Sequence, residues 1–273
     1  MLRAMRPKGI ALISLTLFLN LPATRAAVSA SQAAAVTPSC SLTWVGHEKE
    51  TEEFLRSGKV AKLEVVPIGV TKPQRAVFEP GGPVARAAWK QLAPSYRGGF
   101  RESYKAEIAA YELDRLLDMH MVPPVVERRL DKDLGAMVYW IENIHGWDVK
   151  KPPVGPDPGW SHQVSRMRLF DQFIANVDRN AGNLLYDDDW HLFLIDHSRA
   201  FVDRKDLRGT TPPNRVDKAF WAKIEALNAE QLQTALGQWL SKGEITAMLA
   251  RRDKMREEIT KRVAEKGEAS IFF

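Results

Sequence analysis

The sequence predicts an α+β chain of two lobes: a small antiparallel sheet with one long helix, then a mainly helical lobe. Three observations predict it. From Lys59 hydrophobicity alternates with a period of two, and the hairpin signal Pro80-Gly81-Gly82-Pro83 joins the β-rich runs 75–79 and 84–89. Ser103 to Leu117 then switches to a helical period. Beyond Phe201, the runs 219–227, 229–240 and 243–265 also read as helices, and their interleaved Arg, Lys and Glu as a solvated face.

The chain has 273 residues, room for one two-lobed domain or two small ones with a sizeable core. Its formal charge is +5, but Arg3, Arg6, Lys8 and Arg25 supply four of those charges within the first 30 residues, which hold no acid. The rest of the chain is close to neutral, without the basic stripe of a nucleic-acid binder. Residues 1–30 read as a signal peptide: a basic start, an apolar core from Gly9 to Leu21, then Pro22 and small residues. That core is short of the roughly 20 residues a spanning helix needs, so no stable transmembrane span is expected. Export to the periplasm or outside the cell is the expectation, with an uncleaved N-terminal anchor as the alternative. Residues 31–58 read as a leader segment, poorly ordered over 31–45. Cys40 is the only cysteine, which rules out an internal disulfide. His47-Glu48 begins like a zinc-protease helix, but position 51 is Thr where a second His must stand, and no other histidine shows ligand spacing.

Residues 59–144 form the expected N-lobe. The turn Gly69-Val70-Thr71 allows close backbone approach to an anion, or is an ordinary strand connection. Lys90 ends the second hairpin strand, in A-A-W-K. In the helix that follows, Ile108, Tyr111, Leu113, Leu116 and Leu117 form the apolar stripe, with Glu107 at its edge; Glu112 and Asp114 read as solvated. A buried-strand pattern, 136–144, leads through Glu142 and Asn143 toward the Pro- and Gly-rich linker at 148–160, and the C-lobe fills 145–273.

The chemistry concentrates between Met167 and Phe201. A helical pattern (Leu169, Phe170, Phe173, Ile174, Val177) runs into Asp178-Arg179-Asn180-Ala181-Gly182-Asn183. Then come a short apolar run, the turn Asp187-Asp188-Asp189, and a strand ending in Ile195-Asp196. Asp, Asn and Gly are also what any helix-to-hairpin loop contains. An Asp, an Asn five positions on and an Asp closing a hairpin is nevertheless the spacing phosphoryl transfer uses. One carboxylate aligns the acceptor hydroxyl, while the amide oxygen and second carboxylate hold a divalent cation on ATP phosphates. A single strand-end lysine is most commonly just exposed, but one held by a helical carboxylate would orient the α- and β-phosphates, and Glu107 on the helix that follows offers Lys90 such a partner.

These motifs resemble the phosphatidylinositol 3-/4-kinase-like superfamily, in which D-R-H-x-x-N precedes I-D-F-G. They also resemble the secretory-pathway kinases of the Golgi casein kinase and four-jointed type and, more distantly, the HipA-type kinases. The likeness extends to E-I-A-A-Y-E-L-D-R-L-L-D followed by M-V-P-P-V-V-E-R, where Glu107 matches the glutamate that pairs with the strand lysine in the secretory kinases. The resemblance implies a two-lobed protein-kinase-like fold that uses ATP with Mg²⁺ or Mn²⁺. It implies Asp178, Lys90 and Glu107 in catalysis and Asn183 and Asp196 on the metal. Gly69, Thr71, Lys90, Glu142 and Asn143 would lie around the nucleotide, the last two at the hinge where backbone groups read the adenine edge. Two positions depart from the pattern: Asn180 stands where the lipid kinases have His, and Ser198 where D-F-G has Gly. The secretory kinases are typically disulfide-stapled, which this chain cannot be.

The reading is therefore a Mg-ATP-dependent kinase acting on an unidentified hydroxyl acceptor on protein, lipid, sugar or small molecule. Its rivals are a pseudokinase that binds nucleotide or a partner without turnover, and an exported scaffold. ATP is scarce outside the cytoplasm, which favours the rivals if the chain is exported.

Overall fold

The computed structural model describes residues 44–66 and 74–273. The signal-peptide reading, Cys40, Gly69 and Thr71 lie outside the described residues. Helix α1 (Glu48–Ser57) is followed by β1 (Val60–Val65), β2 (Gln74–Phe78) and β3 (Arg86–Lys90). A small hairpin, β4 (Ser95–Arg97) and β5 (Phe100–Glu102), turns through Gly98 and Gly99, both at positive φ, and leads into α2 (Tyr104–Leu117). Strands β6 (Val125–Leu130) and β7 (Asp133–Tyr139) complete an antiparallel sheet in the order β1-β2-β3-β7-β6.

Alternation along the strands gives this sheet two buried faces. Ala76, Phe78, Ala87, Trp89, Val126 and Met137 cluster with Leu55 of α1, while Ala88, Val125, Ala136 and Val138 face the core that includes α2. Within the expected leader segment Glu48–Ser57 is thus an integral helix, a correction to the sequence expectation. The acids and Lys on the outer side of α1 masked a narrow buried edge, Thr51, Glu52 and Leu55, which finds its partner only against the sheet. Trp44 is likewise part of the fold, with its ring 5.3 Å from Tyr139 and 5.7 Å from Phe193.

Helix α2 is capped by Ser103, whose Oγ accepts from Lys105 N at 3.1 Å. It buries Ile108, Tyr111, Leu113 and Leu117, but Leu116, expected in the stripe, is 40% exposed. Asp114 reverses the expectation of a solvated carboxylate. It is buried, and its oxygens accept from the backbone N–H groups of His120, Met121 and Val122 at 2.9–3.0 Å, closing the loop after the helix.

Past the sheet, residues 140–144 cross to β8 (His145–Gly146), which pairs with β9 (Leu184–Tyr186); β9 in turn pairs with β10 (Leu192–Leu194). Helix α3 (Gly159–Ile174) precedes a 3₁₀ turn, Ala181–Asn183, that enters β9. Helices α4 (Lys218–Ala226), α5 (Ala229–Leu236), α6 (Lys242–Lys266) and α7 (Glu268–Ile271) complete the lobe. Their charges are not all solvated: Arg251 of α6 is fully buried, donating to the carbonyls of Phe173 and Val202 at 3.0 Å each and to that of Arg204. It caps the C-terminal end of α3 and ties down the segment that follows β10. Among the described residues no helix is long and apolar enough to cross a membrane.

Candidate active site

Lys90 sits at the end of β3 on the face that Ala88 shares, because Trp89 between them points under α1. The close packing at this point depends on Gly135 of β7, where a Cβ would stand 2.3 Å from the Lys90 carbonyl oxygen. The Lys90 ammonium is thereby aimed at α2, with Nζ 2.6 Å from Glu107 Oε1 and 3.0 Å from Asp196 Oδ1. Lys90 and Glu107 are 9% and 2% exposed, whereas the Asp196 side chain is 33% exposed, so the cluster opens to solvent at Asp196.

Burial works against the Lys90 charge, but the two carboxylates outweigh it and hold the ammonium above its usual range. Lys90 in turn holds Asp196 well below the ordinary carboxylate range, against the effect of burial. Burial pushes Glu107 up, opposed by Lys90 and by the His197 N–H that donates to Glu107 Oε2 at 3.0 Å. Two carboxylates around one ammonium leave a net negative site.

Asp196 follows β10 at a φ of +59°, a left-handed conformation that Asp tolerates better than most residues and that turns the chain sharply out of the hairpin. Pairing of β9 with β10 sets Leu184 opposite Leu194, and Ile195 N donates to Asn183 O at 3.2 Å. The register therefore brings Asn183 and Asp196 to the same end of the hairpin. Asn183 Nδ2 donates to the Asp178 carbonyl at 3.1 Å, and no hydrogen bond among the described residues engages its Oδ1. An amide oxygen and a carboxylate at one hairpin end are hard oxygen donors, and beside a net negative cluster they fit Mg²⁺ or Mn²⁺.

The two departures from the motif have structural roles. Asn180 caps the 3₁₀ turn, its Oδ1 accepting from Gly182 N at 2.9 Å and its Nδ2 donating to the Asp178 carbonyl at 3.0 Å. Ser198 Oγ donates to Asp196 Oδ1 at 3.1 Å, adding a bond where Gly would leave none. Glu142 and Asn143 lie in the connection between the two sheets, and the Glu142 carboxylate pairs with Arg86 Nε at 2.7 Å rather than with the Lys90 cluster. Beside the 3₁₀ turn a cavity of about 300 Å³ is lined by Trp147, Met167, Asn180, Ala181, Thr210 and Thr211, among others.

Sequence reading missed the residues that hold these parts together. Arg179 binds Asp171 through two nitrogens at 2.9 and 3.0 Å, and donates to the carbonyls of Asn183 and Ile195 at 3.0 and 2.8 Å. One guanidinium thus joins α3, the loop after Asp178 and the strand before Asp196. Its Nη2 lies 2.9 Å from His197 Nε2. A guanidinium only donates, so Nε2 accepts and the His197 proton resides on Nδ1. Burial, then Arg179 and Lys90, hold His197 well below its usual range, and it is neutral. The signal for Arg179 was present in D-R-x-x-x-N, since an Arg beside the loop Asp is the natural clip for loop carbonyls. Asp187, Asp189 and His191 at the far turn of the hairpin also come together, their ligand atoms within 4.8 Å, although no His spacing suggested it. There the His191 backbone N–H donates to Asp187 Oδ1 at 2.8 Å, closing the turn.

The solved structures place this architecture. The chain superposes on the Golgi casein kinase with a TM-score of 0.64 at 14% identity, covering 84% of this chain and 79% of that one. A second structure of that kinase, with Mn and ADP bound, gives 0.63 at 13% identity and the same coverage. Hydra Fam20, solved with a sugar, gives 0.68 at 15% identity, over 84% of this chain and 92% of that one. The fold is protein-kinase-like. It is shared with the secretory-pathway kinases that the motifs resemble. No protein-family model matches the chain, and no curated protein sequence matches it.

Proposed function

We propose that this chain is a Mg-ATP-dependent phosphotransferase that moves the γ-phosphoryl group to a hydroxyl. The observation that carries the reading is the buried Lys90 ammonium held between Glu107 of α2 and Asp196 of the hairpin, three residues distant in sequence brought to one point. A lysine so fixed is a preorganised cation for phosphate oxygens. Asn183 and Asp196 would hold the cation, which when bound neutralises phosphate charge. Asp178 accepts the proton of the acceptor hydroxyl as its oxygen bonds to phosphorus. The bond to the β,γ-bridging oxygen breaks and ADP leaves. In so loose a transfer positioning and charge carry most of the catalysis, so Asn180 in place of His does not remove the function. Kinase-fold neighbours, one of them with Mn and ADP bound, support the same reading.

The test is a thermal shift with ATP in the presence and absence of Mg²⁺, followed by γ-labelled ATP incubated with cell-protein and lipid fractions. A Mg²⁺-dependent shift with label transfer is expected, both lost in Asp196→Ala. A shift without transfer would make the chain a nucleotide-binding pseudokinase, and no shift a scaffold.

A further inference from the structure

Arg199, three residues after Asp196, reaches across the site in a way the motifs do not account for. Its Nη2 and Nε lie 2.6 and 2.9 Å from Glu102 Oε1, and its Nη1 lies 3.1 Å from Asp178 Oδ2. Its guanidinium also sits 4.6 Å from the centre of the Phe100 ring. Glu102 is the last residue of β5 and is 3% exposed, while the Asp178 side chain is 39% exposed. The two ends of this bridge are therefore unequal. A buried carboxylate needs its cation, so Glu102 fixes Arg199. Arg199 then meets the more exposed Asp178 through a single bond. Among the described residues no hydrogen bond engages Asp178 Oδ1, so Arg199 holds one carboxylate oxygen and leaves the other for an incoming group.

The geometry points to Arg199 as the positioning residue for Asp178, anchored by Glu102, an assignment that rests on the phosphotransfer reading above. Glu102 and Glu107 flank the helix cap Ser103, whose backbone N–H donates to the Ser198 carbonyl at 2.9 Å. One rigid junction, β5 into α2, thus delivers two carboxylates to the two halves of the site. Glu107 fixes Lys90 on the nucleotide side, and Glu102, through Arg199, fixes Asp178 on the acceptor side. The placement of α2 sets both halves together, so a shift of this helix would disable nucleotide orientation and acceptor alignment at once.

The role is separable from that of Lys90 and Glu107 by kinetics. Arg199→Ala should lower turnover roughly 100-fold or more, the scale of a misplaced acid–base group, while KM for Mg-ATP and the Mg-ATP thermal shift stay near wild type. Glu102→Gln, which keeps the shape, should fall in the same direction by about tenfold, one lost charge-assisted bond. Glu107→Gln should instead weaken Mg-ATP binding. Turnover is read as phosphate release from Mg-ATP with water as acceptor, and as label transfer to a cell-protein extract. Low concentrations of free guanidinium should restore part of the Arg199→Ala loss and none of the Glu107→Gln loss, a rescue that a merely structural role would not show. Wild-type turnover in Arg199→Ala, or a loss matched by an equal rise in KM for Mg-ATP, or absence of rescue in a folded variant, overturns the assignment. Should Arg199→Ala not fold, Glu102→Gln decides: unchanged turnover there overturns it as well. A wild-type chain that neither hydrolyses nor transfers fails at the phosphotransfer reading itself, a result distinct from a silent Arg199 variant.

Discussion

Removing the cation from the Lys90 cluster has a consequence that can be worked from its burial. In Lys90→Met, Glu107 and Asp196 lose their shared ammonium, which lies 2.6 and 3.0 Å from them. Breaking a buried ion pair by deleting one partner costs about 3–5 kcal/mol. At about 2–4 °C per kcal/mol for a domain of this size, the melting temperature falls by roughly 6–20 °C. The sign with pH is the sharper test. In the wild type the depressed Asp196 contributes stability above its unfolded pKa of about 3.9, lost as pH falls through its folded value. The raised Lys90 contributes below its unfolded pKa of about 10.4, lost as pH rises through its folded value. Between those limits the Lys90–Asp196 pair contributes a flat term, while Glu107, pushed up by burial, contributes stability that is lost as pH rises through its folded value. In the variant two facing carboxylates repel, and one takes up a proton well above its unfolded pKa. The folded state then binds more protons than the unfolded, so stability falls as pH rises, by up to about 1.4 kcal/mol per pH unit. The deficit should accordingly be smaller at pH 5 than at pH 8, and Lys90→Met combined with Glu107→Met should recover much of it without recovering ATP turnover. Urea and thermal unfolding of the three proteins between pH 5 and 8.5 decide the matter. A Lys90→Met chain as stable as wild type at pH 8, with the same pH profile, refutes the argument.

Two other expectations concern single residues and a third the N-terminal segment. His197 is buried and neutral with its pKa lowered, so the unfolded chain binds a proton the folded one does not; stability should fall as pH drops below about 6.5, and His197→Gln should flatten that slope by up to about 1.4 kcal/mol per unit in denaturant titrations. Asp114→Ala strands three backbone N–H groups and should cost roughly 1–3 kcal/mol for each that stays dry, with hydrogen exchange accelerated first at 120–122. If residues 1–30 are a signal peptide, intact-mass analysis of protein from the native host should find them absent, and Met1 retained on a cytoplasmic protein would contradict the export proposal.

Much of the architecture was legible because its signals are local. The alternation that marks β1, the Pro-Gly-Gly-Pro turn that joins the β-rich runs of β2 and β3, the amphipathic α2 and the helix-to-hairpin passage around Asp178 are each written within about fifteen residues. Lys90 and Glu107 could be named because each stands at an element boundary or stripe edge whose direction follows from strand and helix periods. Helix α1 was missed for the opposite reason. Its buried edge is narrow, and Glu52, one turn before Leu55, looks like a solvent-facing residue until the sheet is laid against it.

What the tertiary structure alone decided concerns charge. Asp114 and Arg251 carry side chains that periodicity assigns to water, yet both are buried, because backbone groups at the ends of neighbouring segments needed partners. Arg199 meets Glu102 across 97 residues of chain and Asp178 across 21. No local pattern encodes such a meeting. A charged side chain is placed by whichever buried polar group it can satisfy, and which group lies within reach is settled only when separate elements pack.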